Sequence, residues 1–480
     1  MAEPRDGYSP HLRTALLFAG TGTAGAYHAG VLRALQEAGV KIDLVGGCGM
    51  GVPVALFAAI DASAQLSDAS GFWRSDAPAR LYPIRRFHKF LAVCLAVSLV
   101  SVVGPLLAVV AGLVVFPVSF FLAMTGWAAA AEGARGFVKW LVDAFAPGAL
   151  PSVLPRVAVL SLLVALAAML VEARRARRRS RQRQEKARVW WAGLGTLIDA
   201  TPAVAEWRGR VWRALAGGPI GKQPDDRDLS ARYSELLADN LGQPRFRELL
   251  LVVHDLDARR DLAFALLGDR LRKDFFGKRV FASSSGAAES LRGRPRNAEA
   301  FDLAGLARDR LLDVLSASLR LPVATDAHEV AFPVDGYWRG ETHRLVHRPE
   351  SISRLIEEAT EAGAVQIIVV TAVAEPSGPH TRGVRDGDAR SRIGEYLSSA
   401  EGAAVRDAVR GALDASKQIY LVQPAYNPLN ALDFAGRYDT LSDRQFTLAE
   451  LVERGYEDAY RQFIEPVVAA GGEQLGQPTP

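Results

Sequence analysis

The sequence predicts an α/β fold, a mainly parallel central sheet layered by helices, interrupted by an inserted block of apolar helices. Three observations predict it. Between Thr14 and Ala59 a strand, a glycine turn and a helix follow one another twice. An almost uncharged apolar block lies between Leu91 and Val171. Past Val189, strand-like and helix-like segments alternate once more.

The first unit begins with ALLFAG, a short apolar run of buried-strand type. AYHAGVLRALQEAG carries apolar residues at helical spacing and stops at Gly39, and IDLVGG is a second buried strand. Two strands joined by a helix make a parallel βαβ unit. Further on, ELLLVVHDLD and VQIIVVTAV read as strands, DLAGLARDRLLDVLSASLRLP as a helix ending before a proline, and ISRLIEEATEAGA as a helix with a glycine stop. From Ala389 the chain reads mainly helical, with a short strand at QIYLVQP.

The apolar block explains the raised hydrophobic content, 49% of residues. The 37 residues from Leu91 to Trp127 are interrupted only by Gly104-Pro105 and Pro117. That is too long for one span of roughly 20 residues and short for a hairpin. A second run covers 151–171. Since the strands on either side belong to one sheet, the number of membrane crossings must be even. The expectation is two spans, 91–113 and 152–171, with the remainder re-entrant or interfacial and FVKWLVDAF amphipathic. The competing reading is a buried helical hairpin of a soluble protein.

The net charge is +4, but its excess is local: Glu172 to Arg188 holds nine basic and two acidic residues, leaving the rest of the chain net acidic. A basic run directly after an apolar one marks a cytoplasmic flank, as do Arg85, Arg86 and Lys89 before it. Arg174–Arg188 could also meet anionic lipid headgroups. Nucleic acid is not an expected partner. Two cysteines, Cys48 and Cys94, in a turn and in the apolar block, predict no disulfide. The polar N-terminus predicts no signal peptide, and arginine outnumbers lysine as expected of a GC-rich bacterial genome.

Two glycine clusters carry the chemistry. Gly20-Thr21-Gly22-Thr23-Ala24-Gly25, between a strand and a helix, fits the dinucleotide fingerprint, but the following strand ends in glycines rather than the acidic residue that holds a ribose. No cofactor is expected. Gly47-Cys48-Gly49-Met50-Gly51 lies where a nucleophile elbow G-x-S-x-G would stand, with Gly49 at its apex.

AGTGTAGAYHAGVLRALQEAG followed by IDLVGGCGMG resembles the opening of a patatin-like phospholipase domain: a glycine-rich oxyanion loop, a helix and the elbow, in this order. Ala317-Ser318 with Pro322 resembles the family's A-S-x-x-x-P helix end, Asp335-Gly336 its D-G-[GA] motif, and GAVQIIVV the strand that follows. The resemblance implies a three-layer patatin-like sandwich over 14–85 and 189–470, with 86–188 a transmembrane insertion. It implies lipid acyl ester hydrolysis by a Ser–Asp dyad, with membrane lipids as partners. Carried over by position, Gly20, Thr21 and Gly22 form the oxyanion loop, Gly47 and Gly51 frame the elbow, Gly49 takes the nucleophile position and Asp335 that of the base.

Four positions depart from the family: glycine for serine at 49, Thr21 for glycine, Ala24 for Arg or Lys, and Tyr337 for the end of D-G-[GA]. All lie in the catalytic apparatus, so the expectation is a non-catalytic, multi-pass membrane protein with its α/β domain cytoplasmic. The alternative is an active hydrolase in which Gly49 is an introduced change or another group attacks. Cys48 could attack as a thiolate but sits beside the apex, where a strand turns it away. Ser283, Ser284 and Ser285 form a cluster of loop type. His28 and His254 have no metal-ligand spacing, and no metal is expected.

Overall fold

The computed structural model describes residues 8–144, 150–181, 195–216, 223–277, 299–375, 388–414, 418–439 and 441–468. The chain divides into two compact units, 1–83 with 199–480, and 84–198. The inserted unit therefore runs some ten residues beyond the expected boundary at 188.

The first unit opens with β1 (Thr14–Gly20), α1 (Ala24–Glu37), β2 (Leu44–Gly49), α2 (Gly51–Ala59) and a single turn, α3 (Ala64–Ser67). Every residue of β1, β2 and α2 is buried, which is why their sequences are continuous apolar or glycine runs. Pro53 falls in the first turn of α2, where a missing N–H loses no intrahelical bond.

The second unit holds α4 (Arg86–Met124), α5 (Ala128–Ala144) and α6 (Leu150–Arg181). Here the structure departs from the expected 91–113 span: α4 is one helix of 39 residues that passes through both Pro105 and Pro117. At 1.5 Å per residue it is about 58 Å long. α4 and the segment Val153–Arg175 of α6 are both long and apolar enough to cross a membrane. Their packing is the reverse of a water-soluble hairpin. Cys94, Ser98 and Ser101 on α4 and Ala158 and Ala165 on α6 are buried, and Ser98 Oγ lies 2.5 Å from Ser161 Oγ. Leu99, Val100, Leu160 and Leu163 are more than half exposed. Small residues inside and large apolar ones outside is the pattern of helices that pair in lipid. The two ends of the insertion meet: Ile84 and Ile198 form an antiparallel bridge, and Arg85 N–H donates to the Leu197 carbonyl at 3.1 Å.

The first unit resumes with α7 (Thr201–Ala216), α8 (Asp226–Asn240), β3 (Glu248–Asp255), β4 (Arg260–Leu266), α9 (Asp269–Gly277), β5 (Ala300–Asp302) and α10 (Leu311–Ser318). There follow β6 (His328–Ala331), β7 (Thr342–Val346), α11 (Ser351–Glu361), β8 (Gln366–Val370), α12 (Ala389–Asp414), β9 (Gln418–Val422), a small hairpin of β10 (Arg437–Asp439) and β11 (Arg444–Phe446), and α13 (Leu448–Ala459). The predicted 302–322 helix is only α10 with a 3-10 turn before it.

The main sheet runs β5-β4-β3-β2-β1-β8-β9. β3, β2, β1, β8 and β9 are mutually parallel, β4 is antiparallel to β3, and the β6–β7 hairpin adds to β3 antiparallel. The fold is thus a mixed, mostly parallel α/β sheet with helices on both faces. On one face Leu17, Cys48 and Leu250 pack with Ile352 and Leu355 of α11 and Val405 and Ala408 of α12. On the other, Phe18 meets His28 of α1. β1 and β2 are in register so that Gly20 is paired with Gly49. Both glycine clusters therefore leave the carboxyl ends of adjacent central strands, the place where open α/β sheets build their sites.

α1 is crossed closely by α13. A Cβ on Gly30 would overlap the Val452 carbonyl oxygen and lie 2.9 Å from Tyr456 N, and one on Gly455 would overlap the Tyr27 carbonyl. Tyr27 Oη donates to the buried Asp458 at 3.1 Å. The C-terminal helix is thereby part of the α/β unit.

Candidate active site at the glycine elbow

Gly49 ends β2 with φ +59°, the left-handed conformation of a strand-to-helix elbow. A Cβ built on it would lie 2.7 Å from His347 Cε1 and 2.9 Å from His347 Nδ1, and would overlap the Gly20 carbonyl oxygen. The apex therefore has the backbone of an elbow without room for the side chain of a nucleophile. Gly47 and Gly51 flank it, both buried, Gly51 as the first residue of α2.

On the oxyanion side one donor is engaged. In a working elbow the N–H after the apex points at the oxyanion; here Met50 N–H donates to the Gly20 carbonyl at 2.6 Å. Gly20, Thr21 and Gly22 form the β1–α1 turn and are all buried. The segment around Asn430–Ala431 lies over this turn: Thr23 N–H donates to the Ala431 carbonyl at 3.0 Å and Thr23 Oγ1 to the Asn430 carbonyl at 2.9 Å.

Under the turn lies a polar cluster absent from the sequence reading. Thr21 Oγ1 is 3.0 Å from His347 Nε2. Thr21 also hydrogen-bonds Glu401 of α12, and both His347 and Glu401 are about 2% exposed. Burial pushes His347 down to about 4 and Glu401 up to about 8, the Thr21 hydroxyl only partly offsetting the latter. Near neutral pH the imidazole is uncharged. His347 Nδ1 has no partner. A buried bare acceptor is less costly than a buried orphan N–H, so Nε2–H donates to Thr21 and Thr21 donates onward to Glu401. In this arrangement Thr21 cannot pass its proton to His347.

The signs of the two shifts predict a pH profile. Glu401 is protonated in the fold up to about 8 but titrates near 4.5 when unfolded, so its contribution to stability is lost as pH rises through that interval. His347 acts oppositely, losing stability as pH falls from 6.5 towards about 4. Between 4.5 and 6.5 the two slopes oppose each other, and above 6.5 only Glu401 remains. Thermal melts of the full chain should show stability falling from pH 6.5 to 8 and Glu401→Gln flattening that fall; an equal fall in the variant would show that Glu401 is not the titrating group.

Asp335 is not among the atoms nearest a side chain at position 49; that place belongs to His347. Asp335 and Gly336 instead sit in the β6–β7 hairpin loop, where Gly336 N–H and Gly340 N–H both donate to the Pro333 carbonyl. This is the turn use of an Asp-Gly pair. Both residues line a cavity of about 1030 Å³ beneath the hairpin, walled by Phe264, Phe301, Phe332 and Trp338, and no elbow residue lines it. The large cavity and the elbow are separate places in the α/β unit.

Cys48 is fully buried, which raises its thiol well above the usual range and holds it as an unreactive thiol. His28 is buried with Nε2 on the Ala19 carbonyl at 3.1 Å and is driven down to about 3 by burial. His254 Nδ1 meets Asp261 at 2.7 Å. Ser283, Ser284 and Ser285 lie outside the described residues, as do 182–188 of Arg174–Arg188. Among the described residues no group of His, Cys, Asp and Glu could hold a metal.

His347 and Glu401 escaped the sequence reading because neither has a local signal. His347 follows β7, and it reaches the elbow only because β7 pairs with the end of β3, Val346 opposite His254.

The patatin-like phospholipase family matches residues 16–342, about two thirds of the chain. No curated protein matches. Among solved structures, VipD from Legionella pneumophila is 12% identical, aligned over 94% of this chain and 67% of its own, with a TM-score of 0.28. With the ordered glycine turn, helix and elbow on a mostly parallel sheet, the family match establishes that this chain belongs to the patatin-like phospholipases, whose fold is that of a lipid acyl hydrolase.

Proposed function

We propose that this protein is a membrane-embedded, non-catalytic member of its family that binds lipid without hydrolysing it. The observation that carries the reading is the closed elbow: Gly49 has no space for a side chain, and the Met50 amide is spent on the Gly20 carbonyl. Hydrolysis of an acyl ester needs a group to attack and donors to hold the oxyanion; at that position the attacking group is lacking and one of the donors, the Met50 N–H, is engaged. The substitution at 49 is matched by its surroundings and is not an isolated lesion.

Membrane residence is supported by the seam of α4 and α6, small inside and apolar outside, and by the basic flanks on both sides of the insertion. Two crossings return the chain to the side it left, which puts the α/β unit in the cytoplasm under the positive-inside rule. Arg174–Arg188 then meets the anionic leaflet.

The second reading, an active hydrolase using another nucleophile, has one observation in its favour, the 3.0 Å contact of Thr21 with His347. Burial of both groups and the direction of that hydrogen bond count against it. The test is ester hydrolysis by the purified full chain in lipid nanodiscs, with a short-chain nitrophenyl ester and with phospholipid. No turnover above buffer is expected. Turnover abolished by Thr21→Ala or Asp335→Ala would overturn the proposal.

A further inference from the structure

The aromatic cavity under the β6–β7 hairpin is used by nothing described so far. Four rings form a continuous wall along it. Phe264 stacks on Phe301 at 4.8 Å between centroids, Phe301 on Phe332 at 5.5 Å, and Phe332 meets Trp338 at 6.2 Å. They come from β4, β5 and the hairpin, so the wall is carried by the sheet itself. Its volume of about 1030 Å³ is at the top of the range of roughly 300–1,000 Å³ usual for small-molecule sites. Water gains little from such a lining, because an apolar cavity gives it too few partners.

The charges in the wall say what kind of ligand fits. Its two cations are each already engaged, Arg272 with Asp302 at 2.7 Å and Arg310 with Asp313 at 3.2 Å. Each cation's charge is offset by a carboxylate, which weakens its pull on a phosphate or a carboxylate. Asp335, at the rim, is exposed and repels an anionic end. The interior therefore suits an uncharged apolar body, with any polar end left outside.

The mouth says where the ligand comes from. Leu306, which lines the cavity, is 99% exposed, and Tyr337 is 53% exposed. Val334, next to the lining residues Pro333 and Asp335, is 76% exposed. Apolar side chains held in the open around an apolar cavity are stable against an apolar phase and poorly placed in water.

We propose that this cavity is a lipid site separate from the elbow, holding the single acyl chain of a neutral, monoacyl amphiphile taken up from a membrane. The chain lies along the Phe264–Phe301–Phe332–Trp338 wall, and the uncharged head stays at the rim beside Asp335. The site does not depend on the elbow being inactive, and it places Asp335 at the entrance of a binding site instead of in a catalytic dyad.

The test uses the full chain in a lipid nanodisc and a monoacylglycerol brominated at mid-chain, which quenches nearby tryptophan on contact. Saturable quenching is expected. Trp338→Phe, which keeps a ring in the wall, should remove the saturable part, and Ala300→Phe, which adds a ring to the lining, should weaken binding at least tenfold. Should Ala300→Phe fail to fold by its thermal melt, Trp338→Phe decides alone. Saturable quenching that persists undiminished in Trp338→Phe would overturn the proposal, as would unchanged affinity in a folded Ala300→Phe. Displacement of the probe by naphthalene but not by unbrominated monoacylglycerol would overturn the acyl assignment. Ester hydrolysis is not read in this experiment, so its failure leaves the proposal about the elbow standing.

Discussion

Gly49→Ser should yield a less stable protein that still does not hydrolyse esters. Restoring the serine restores one atom group to a site that has been filled. The backbone at 49 has φ +59°, which costs a residue with a side chain about 1–3 kcal/mol. The new Cβ would press on the Gly20 carbonyl and on His347, and overpacking of this kind costs about 1–3 kcal/mol more. A fall in melting temperature is therefore expected together with an unchanged, background rate on a short-chain ester. Even a serine accommodated by a shift of His347 would face an oxyanion position whose Met50 N–H is already bonded at 2.6 Å. Measurable turnover in Gly49→Ser would mean that the loop reopens once a nucleophile is present, and that only the serine had been lost.

The second large effect is expected far from the elbow. Gly30→Val should prevent α13 from docking on α1, because no side chain fits between residue 30 and the Val452 carbonyl. The contact is backbone against side chain and cannot be relieved by a rotamer change. The buried pair of Tyr27 and Asp458 would be pulled apart with it, leaving the carboxyl group with Arg461 alone. The combined loss should be about 3 kcal/mol, core overpacking joined to the loss of a buried hydrogen bond. Limited proteolysis would reveal it as early cleavage near 440–460, and Gly455→Val should behave alike. If Gly30→Val melts as the parent does, the crossing is looser than its geometry indicates.

How much of this could be read beforehand differs by element. β1, β2, β3 and β8 were legible because strands buried on both faces must be apolar throughout, and ALLFAG, LLLVV and QIIVV have no other soluble use. The strand, glycine turn and helix over 44–59 were legible because the glycines are fixed by local geometry. β4 was missed because RDLAFAL follows a tight turn rich in charge, and β6 and β7 because HEVA and THRLV alternate polar and apolar residues too briefly to show a period. The length of α4 was misjudged because a span of roughly 20 residues was expected; the helix continues through Pro105 and Pro117, since in an apolar helix neighbours can satisfy the freed carbonyls. Asp335 was assigned from a dipeptide, and a dipeptide does not reveal which end of a hairpin it occupies. The neighbour of Gly49 turned out to be a residue eleven positions beyond Gly336, at the opposite end of β7.

The bridge between Ile84 and Ile198 has a consequence for how this chain could have arisen and for what it can tolerate. The two ends of the insertion are paired in an isolated antiparallel bridge, about 5 Å apart as any antiparallel pair is. From the side of the sheet, the whole insertion between Ile84 and Ile198 is equivalent to a tight turn. Loop length enters folding only logarithmically once the ends are held, so the helices can lengthen, shorten or exchange without any demand on β2, α2 or the elbow. The inserted helices and the residues at the carboxyl ends of the sheet are therefore free to diverge at different rates within one gene, each under its own selection.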